Sequence, residues 1–303
     1  MPAFILGSRG SALALVQTHF VIQQLSQRNP GVSFEVRKIK TQGDVQRRRP
    51  LSRMGGKGVF VKEIQQALLA GEVHAAVHSY KDLPVECPPD LEIVAILRRD
   101  DPRDALVSRN GLDLQALPRG ALLGTGSPRR AAQIRALRPD LQIGELRGNL
   151  DTRLRKVSSG AVEAAVVAAA GLDRLGWQDR ITQLLPREVC IPAVGQGALA
   201  VEIRTDNDEA RRLLSPLDHP PSRTAVTAER AFLERLGGGC HSPIAAMGEV
   251  QGGRLTLWGM VASPGGDRLL RDSMEGDTDS PEQVGRHLAE RLLEQGASEL
   301  LEV

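Results

Sequence analysis

The sequence comprises 303 residues, of which 41% are hydrophobic, and its 39 Lys and Arg residues nearly balance its 37 Asp and Glu residues. A chain of this length exceeds one ordinary hydrophobic core, so we expect two or three domains. The formal net charge of +2 is too small for a field over the whole molecule that attracts nucleic acid or a membrane, so any basic site must be local.

The N-terminal segment MPAFILGSR lacks the basic region and the long apolar run of a signal peptide, and no apolar stretch elsewhere is long enough to cross a membrane. The three cysteines, Cys87, Cys190 and Cys240, have no C-x-x-C spacing. An odd number of cysteines suits a reducing compartment better than a disulfide framework. We therefore expect a cytoplasmic protein with at least one free thiol.

About two-thirds of the chain alternates short β-rich runs with helical patterns, which indicates α/β layers around a largely parallel sheet. The first group of predicted elements has strands at 4–7, 32–40 and 73–79 and helices at 12–27 and 61–70. A second group has strands at 121–124, 141–146 and 162–170 and helices at 128–137 and 150–157. Because GEVHAAV at 71–77 matches GAVEAAV at 160–166, these groups indicate an internal duplication with two similar lobes.

The charged stretch RRDDPRD at 98–104 is interpreted as a crossing between the lobes, with a second crossing near 192–196 and a returning strand at 198–203. After residue 219 the pattern predicts a helix at 223–236, strands near Ile244, Leu255 and Leu269, and a helix at 281–295. The expected domains are 1–99 with 198–218, 100–197, and a small α+β domain at 219–303. Ligands of open α/β sheets bind outside the carboxyl ends of the strands, so we expect the site there, in a cleft between the lobes.

Arginines in glycine- and hydroxyl-rich segments follow several predicted strands. Arg9 lies in GSRGS, and Arg129 and Arg130 follow GTGSP, in which Ser127 is the expected N-cap and Pro128 the first helical residue. Backbone N–H groups at helix starts combine with guanidinium groups to form anion sites. Further arginines at comparable places are Arg147, Arg153 and Arg174. The pattern indicates a ligand with several carboxylates or phosphates, although single arginines also occur on solvated helix faces.

Two other polar runs carry weaker signals. The run Gly55-Gly56-Lys57-Gly58 lacks the spacing of a nucleotide-binding loop and is interpreted as a flexible cover for the cleft. The run RRR at 47–49 is interpreted as a solvated loop, because aromatic residues for base stacking make up only 3% of the chain.

Asp82 is the candidate catalytic residue. It lies in HSYKDLP, directly after a predicted buried strand, where a carboxylate beside a cleft can accept hydrogen bonds and stabilise a developing cation. The alternative is a turn-forming Asp paired with Lys81. His74 and His78 share a strand face, but no third ligand follows at a metal-binding spacing, so packed histidines and no metal are expected.

Cys240 is the candidate nucleophile or attachment point, since the three preceding glycines in GGGCHSP allow the backbone to present the thiol in an exposed loop. A bystander thiol is the alternative. Cys87 and Cys190 have apolar or proline neighbours and are interpreted as packing residues.

Together these motifs resemble the hydroxymethylbilane synthase (porphobilinogen deaminase) family over most of the chain. The ordered pieces are SRGSALA at 8–14, GGKG at 55–58, HSYKD at 78–82, DPRD at 101–104, GTGSPRR at 124–130, LRGN at 146–149, PAVGQG at 192–197 and GGC at 238–240. Ala12, Tyr80 and Gly126 depart from the family's usual residues, and the last could remove one hydroxyl contact to a carboxylate.

The resemblance implies two lobes like those of periplasmic binding proteins, a small α+β C-terminal domain, and a dipyrromethane primer bound by a thioether to Cys240. It further implies that four porphobilinogen units are joined to the linear tetrapyrrole hydroxymethylbilane with release of ammonia, in tetrapyrrole biosynthesis, by a monomeric transferase. No nucleic-acid or membrane partner is expected. Each porphobilinogen carries an acetate and a propionate, which would explain the arginines.

By the same resemblance, Asp82 would hold pyrrole N–H groups and stabilise the cation that forms when ammonia leaves. The residues expected to hold the cofactor are Cys240, Lys81, Asp82, Ser127, Arg129, Arg130, Arg147 and Gly148. Those expected to bind substrate are Arg9, Ser11, Arg147, Arg153, Arg174 and Gln196, with Gly55, Gly56, Lys57 and Gly58 in a mobile cover. The rival interpretation, a binding protein for an anionic solute, explains the lobes and arginines but not the presented thiol.

Overall fold

The computed structural model describes residues 3–41, 61–239 and 242–301. The chain forms two compact units, one of Met1–Arg99 with Ala198–Arg223 and the other of Asp100–Gly197 with Thr224–Val303. Among the residues that the structure describes, no helix combines the length and the apolar character that a membrane crossing requires.

The first unit is built on a five-stranded sheet. Its strands are β1 (Phe4–Arg9), β2 (Phe34–Ile39), β3 (Ala75–Ser79), β4 (Leu91–Ile96) and β10 (Leu199–Arg204), in the order β2-β1-β3-β10-β4. β1 runs parallel to β2 and β3, whereas β10 is antiparallel to both of its neighbours. The central strands β3 and β10 consist almost entirely of buried residues, as expected for a sheet that is covered on both faces.

Helices α1 (Ala12–Arg28), α2 (Lys62–Leu69) and α6 (Asp208–Leu214) belong to the same unit. Ser11 caps α1, because its hydroxyl accepts a hydrogen bond from the backbone N–H of Ala14 at 3.2 Å. Val21 and Leu25 of α1 lie on the sheet's apolar core together with Leu6 and Val201. The cap and this buried stripe fix the position at which α1 leaves the end of β1.

The second unit contains a sheet of the same design. Its strands are β5 (Asp104–Ser108), β6 (Leu122–Gly124), β7 (Gln142–Gly144), β8 (Ala164–Ala168) and β9 (Gln183–Leu185), in the order β7-β6-β8-β5-β9. Its helices are α3 (Pro128–Leu137), α4 (Leu150–Ser158) and α5 (Ala169–Arg174). β6 is parallel to β7 and β8, and β5 is antiparallel to β8 and β9.

The two five-stranded sheets correspond strand by strand, register included. Leu6 and Gly7 of β1 pair with Ala75 and Ala76 of β3, and residues 123–124 of β6 pair in the same way with 164–165 of β8. These are the segments whose sequences match in the predicted duplication. The structure therefore supports two copies of one α/β design.

A third sheet completes the second unit. Strands β11 (Ile244–Gln251), β12 (Arg254–Ala262) and β13 (Leu269–Asp277) form an antiparallel meander, with helices α7 (Pro220–Arg235), α8 (Pro281–Glu294) and α9 (Ala297–Leu301). Phe232 of α7 and Leu288 of α8 are fully buried against Leu255 and Leu257 of this sheet. The predicted fold class, α/β lobes followed by an α+β segment, is confirmed.

Candidate active site

At the first sheet, Arg9 and Asp82 lie beside each other. Arg9 is the last residue of β1, and Asp82 ends the single 3₁₀ turn Tyr80–Asp82 that follows β3, the parallel neighbour of β1. Nη1 of Arg9 lies 4.0 Å from Oδ2 of Asp82, and the two side chains are 24% and 37% exposed. The carboxyl ends of two strands thus present a cation and a carboxylate that a small ligand can reach, with Ser11 and Lys81 as near neighbours in the chain.

A buried pair, His78 and Glu202, connects β3 to its neighbour β10. Nε2 of His78 lies 3.0 Å from Oε2 of Glu202, and Nε2 of Gln65 donates to Oε1 of Glu202 at 2.8 Å. Burial raises the pKa of Glu202, but hydrogen bonds from His78, Gln65 and Cys87, together with the electrostatic effect of His78, lower the pKa overall. His78 is therefore a packed histidine, as predicted, whereas the sequence reasoning missed its partner Glu202.

In the second unit, Thr125 and Ser127 order the segment between β6 and α3. The backbone N–H of Ser127 donates to the Thr125 hydroxyl at 3.2 Å, and the Ser127 hydroxyl accepts from the backbone N–H of Arg130 at 3.4 Å. Ser127 is the predicted N-cap, and Pro128 is at the start of the helix. This cap directs the side chains of Arg129 and Arg130 from the first turn of α3.

Both arginines bind one carboxylate, that of Asp104, the first residue of β5. Nη1 of Arg129 donates to Oδ2 of Asp104 at 2.7 Å, and Nη2 and Nε of Arg130 donate to Oδ1 at 2.7 and 2.9 Å. The Asp104 side chain is fully buried, and the arginine side chains are only 4% and 6% exposed. Two guanidinium groups against one carboxylate leave a net positive charge in a buried cluster.

Gln196 and Cys190 surround the same carboxylate. Nε2 of Gln196 donates to Oδ1 of Asp104 at 2.9 Å and to the Pro102 carbonyl at 2.7 Å. Cys190 lies 3.3 Å from Oδ2 of Asp104, and burial raises the pKa of its thiol to about 12. The thiol is therefore neutral and does not offset the positive charge. Cys190 is buried, as predicted, although it lies in a polar network.

We expect Asp104→Asn to lower the free energy of unfolding by about 3 to 5 kcal/mol, because it leaves two buried guanidinium groups without their counter-ion. Urea unfolding at neutral pH measures this change. Asp179→Asn is the control, since Asp179 is 77% exposed and its replacement should change stability by less than about 0.5 kcal/mol. A loss for Asp104→Asn no larger than that of the control would contradict the assigned role.

The stability difference between wild type and Asp104→Asn is expected to depend on pH. Burial opposes the charged form of Asp104, but Arg129 and Arg130 outweigh burial and hold its pKa far below the ordinary value. A depressed native pKa contributes stability above the unfolded-state pKa of about 4, and this contribution is lost as the pH falls toward the native pKa. The stability difference between wild type and Asp104→Asn should therefore be constant above about pH 5 and shrink below about pH 4.

Arg147 and Gly148 lie in the segment between β7 and α4, and Arg153 lies near the start of α4. Nε of Arg147 donates to Oε1 of Glu145 at 2.6 Å, and Nε of Arg153 donates to the Gly148 carbonyl at 2.9 Å. Gly148 has φ +107°, and a Cβ at this position would lie 2.7 Å from Thr152. Gly148 permits the close turn between the loop that contains Arg147 and the start of the helix that contains Arg153.

Arg174, at the end of α5, binds both ends of the segment Asp100–Gly197 of the second unit. Its Nε donates to Oδ2 of Asp100 at 2.8 Å, and its Nη2 donates to the Gly197 carbonyl at 2.6 Å. Burial lowers the pKa of Arg174, and Asp100 partly offsets this effect.

The predicted residues thus divide between the two units. Arg9, Ser11, Lys81 and Asp82 belong to the first unit, and Ser127, Arg129, Arg130, Arg147, Gly148, Arg153, Arg174 and Gln196 belong to the second. Gly55, Gly56, Lys57, Gly58 and Cys240 lie outside the described residues. The prediction of Cys87 as an apolar packing residue is wrong: the residue is exposed in the segment before β4, and its thiol makes a polar contact, donating to Oε1 of Glu202 at 3.3 Å.

Sequence profiles of two families match the chain. The profile described as "Porphobilinogen deaminase, dipyromethane cofactor binding domain" matches residues 4–212, and "Porphobilinogen deaminase, C-terminal domain" matches residues 223–294. Together they span the two five-stranded sheets and most of the α+β segment.

Curated relatives are similar over nearly the full chain. A porphobilinogen deaminase of Roseiflexus castenholzii is 51% identical over 296 residues, which cover 98% of this chain and 97% of the relative. A porphobilinogen deaminase of Geobacillus kaustophilus is 50% identical over 303 residues, which cover 100% of this chain and 97% of the relative.

Solved structures of binding proteins show a more distant likeness. The second substrate-binding domain of a putative amino acid ABC transporter from Streptococcus pneumoniae has 11% identity and a TM-score of 0.44, over 78% of this chain and 95% of that one. An ancestral arginine-binding protein has 12% identity and a TM-score of 0.40, over 72% of this chain and 91% of that one.

Proposed function

Because this chain belongs to the porphobilinogen deaminase family, we propose that it joins four porphobilinogen molecules with loss of one ammonia at each addition, and that hydrolysis by water then releases the linear tetrapyrrole hydroxymethylbilane. The observation that supports this most directly is the set of arginines beside Asp104. A substrate with an acetate and a propionate on each ring brings negative charges, and the buried cluster carries a net positive charge.

The cofactor fits the donor set of the second unit. Dipyrromethane carries carboxylate side chains, and the second unit offers guanidinium groups at a helix N-terminus whose charge Asp104 only partly neutralises. The residues proposed to hold it are Ser127, Arg129, Arg130, Arg147 and Gly148, with Lys81 and Asp82 of the first unit and a thioether to Cys240. When bound, the cofactor supplies the pyrrole carbon on which the chain grows.

Asp82 is proposed as the catalytic residue. Its carboxylate would accept hydrogen bonds from pyrrole N–H groups and stabilise the positive charge that develops on porphobilinogen as ammonia departs. Its 37% exposure and its position after β3 support this role, since the group can contact a ligand without rearrangement of the sheet.

The remaining residues are proposed to bind substrate carboxylates. These are Arg9, Ser11, Arg147, Arg153, Arg174 and Gln196. Arg147 lies in the loop before α4, and Arg153 near the start of α4 binds the Gly148 carbonyl of that loop, so the two could bind two oxygens of one carboxylate or two neighbouring carboxylates. Arg174 and Gln196 already bind protein oxygens, and their contribution would be to hold the surrounding backbone as well as the ligand.

The test is a stoichiometric assay of the purified protein with porphobilinogen. We expect about four ammonia molecules for each linear tetrapyrrole, and the intact protein should carry an excess mass equal to two porphobilinogen units less two ammonias. Retention of porphobilinogen without ammonia release would instead indicate a binding protein for an anionic solute and would overturn the proposal.

A further inference from the structure

The C-terminal sheet contacts the helix that carries the site arginines. Ala132 of α3 and Ile191 are buried together with Ala245, Met260 and Ala262 of β11 and β12. The turn between β12 and β13 approaches the same helix, since a Cβ on Gly266, which has φ +79°, would lie 2.7 Å from the Ala132 carbonyl oxygen. The sheet and the N-terminal part of α3 are thus in direct apolar contact within one unit.

Arg271 of β13 makes the polar contact at this interface. Its Nη2 donates to Oε1 of Gln133 at 3.1 Å and to the Val189 carbonyl at 3.2 Å, and its Nη1 donates to the Glu188 carbonyl. These acceptors lie on two different segments, the helix α3 and the chain before Ile191. A planar guanidinium with two terminal nitrogens can hold both segments at once, whereas an ammonium group has no such fork.

Gln133 connects Arg271 to Ile191, because its side chain is hydrogen-bonded to both residues. The Gln133 side chain is buried, its Oε1 accepts from the Ile191 N–H at 2.8 Å, and its Nε2 donates to the Ile191 carbonyl at 3.1 Å. One amide side chain therefore binds both polar groups of a single residue of the main chain and fixes the direction of its carbonyl.

The Ile191 carbonyl in turn binds Arg129. Nη1 of Arg129 donates to this oxygen at 2.5 Å and to Oδ2 of Asp104 at 2.7 Å. The guanidinium group is thereby held from two sides, by the carboxylate of β5 and by a carbonyl whose orientation depends on Gln133 and Arg271.

We propose that Arg271 is a positioning residue for Arg129, so that the C-terminal sheet helps to build the carboxylate-binding site of the second lobe. This inference rests on the proposed function for the meaning of that site. Arg271 does not contact the ligand. It acts through Gln133 and the Ile191 carbonyl. Its removal allows Arg129 to leave the orientation in which this arginine would bind a carboxylate of the ligand.

The test is a double-mutant cycle with Arg271→Gln and Gln133→Met. Arg268→Gln is the matched control, because Arg268 lies three residues earlier and its guanidinium pairs with the exposed Glu299. We expect Arg271→Gln and Gln133→Met each to raise KM for porphobilinogen about threefold to tenfold, the effect of one lost hydrogen bond, with little change in kcat. The double variant should be no worse than the more affected single variant.

The fraction of purified protein that carries the excess mass provides a second readout. We expect this fraction to fall in Arg271→Gln and to stay at the wild-type level in Arg268→Gln. Arg271→Lys keeps the positive charge but removes the planar guanidinium, so it separates the effect of the charge from that of the hydrogen-bonding geometry. It should resemble Arg271→Gln, and recovery of the wild-type KM in Arg271→Lys would overturn the proposal.

Two further outcomes would also overturn it. One is an unchanged KM and an unchanged modified fraction in Arg271→Gln, and the other is strict additivity of the two substitutions both in KM and in urea unfolding. Wild-type turnover, measured in the same series, tests the proposed function separately. A wild-type protein that is inactive and unmodified would contradict that function. The coupling between Arg271 and Gln133 can still be measured in that case, by urea unfolding of the same variants.

Discussion

Asp82→Asn should lower kcat by about 10²- to 10³-fold, the usual cost of removing one group that stabilises charge in a transition state. An amide can accept a hydrogen bond from a pyrrole N–H but cannot balance the positive charge that develops as ammonia leaves. KM should change little, because the arginines that are proposed to bind the substrate carboxylates are retained. Initial rates of porphobilinogen consumption at saturating substrate measure the effect.

Two controls accompany this experiment. Asp90→Asn changes an exposed aspartate just before β4 and should leave kcat unchanged. The stability of Asp82→Asn should fall by no more than about 1 kcal/mol, because its pair with Arg9 is partly exposed and 4.0 Å long. Near-normal turnover of the folded variant would assign the catalytic role to another residue.

Cys240→Ser is expected to abolish both the excess mass and sustained turnover. The proposed thioether needs the sulfur of Cys240, and without the proposed primer no pyrrole carbon would be available on which to start a chain. Intact-protein mass spectrometry, followed by peptide mapping, locates the modification.

Cys87→Ser is the natural control for this substitution, because Cys87 is the exposed thiol among the described residues and should carry no cofactor. We expect this variant to retain the full excess mass. Active wild-type protein with an unmodified Cys240 would rule out the attachment.

The helices with clear end signals were predictable from the sequence. The predicted helix at 128–137 has the observed bounds of α3, because Ser127 and Pro128 mark its start and a run of helix-forming residues follows. The last long helix, predicted at 281–295, is observed at Pro281–Glu294. In both cases a local pattern contains the information that specifies the element.

The strands β4, β5 and β9 were not predicted. β5 begins at Asp104, inside a charged stretch that was interpreted as a crossing, and β9 has three residues. Asp104 can lie in a buried strand only because Arg129 and Arg130, more than twenty residues away in sequence, neutralise it. No local pattern contains that information, although DPRD was among the motifs that carried the family resemblance.

The buried position of Glu202 was easier to recognise from the sequence than that of Asp104. Glu202 is the one charged residue in the apolar run ALAVEI, and a charged group in a fully buried strand requires a partner. The sequence therefore indicated that a partner exists, but it could not identify His78, which lies on a neighbouring strand. The cytoplasmic location, the monomeric state and the roles of the individual site residues stay predictions.

The strand order of the first sheet has a consequence for biosynthesis. β10 lies between β3 and β4, yet it is made after the whole second sheet. A growing chain therefore keeps two unpaired strand edges until residue 204 has been synthesised, while the strands of the second sheet all lie within residues 104–185. The later sheet can close first, and the nascent first lobe is the part most in need of protection from aggregation until β10 arrives.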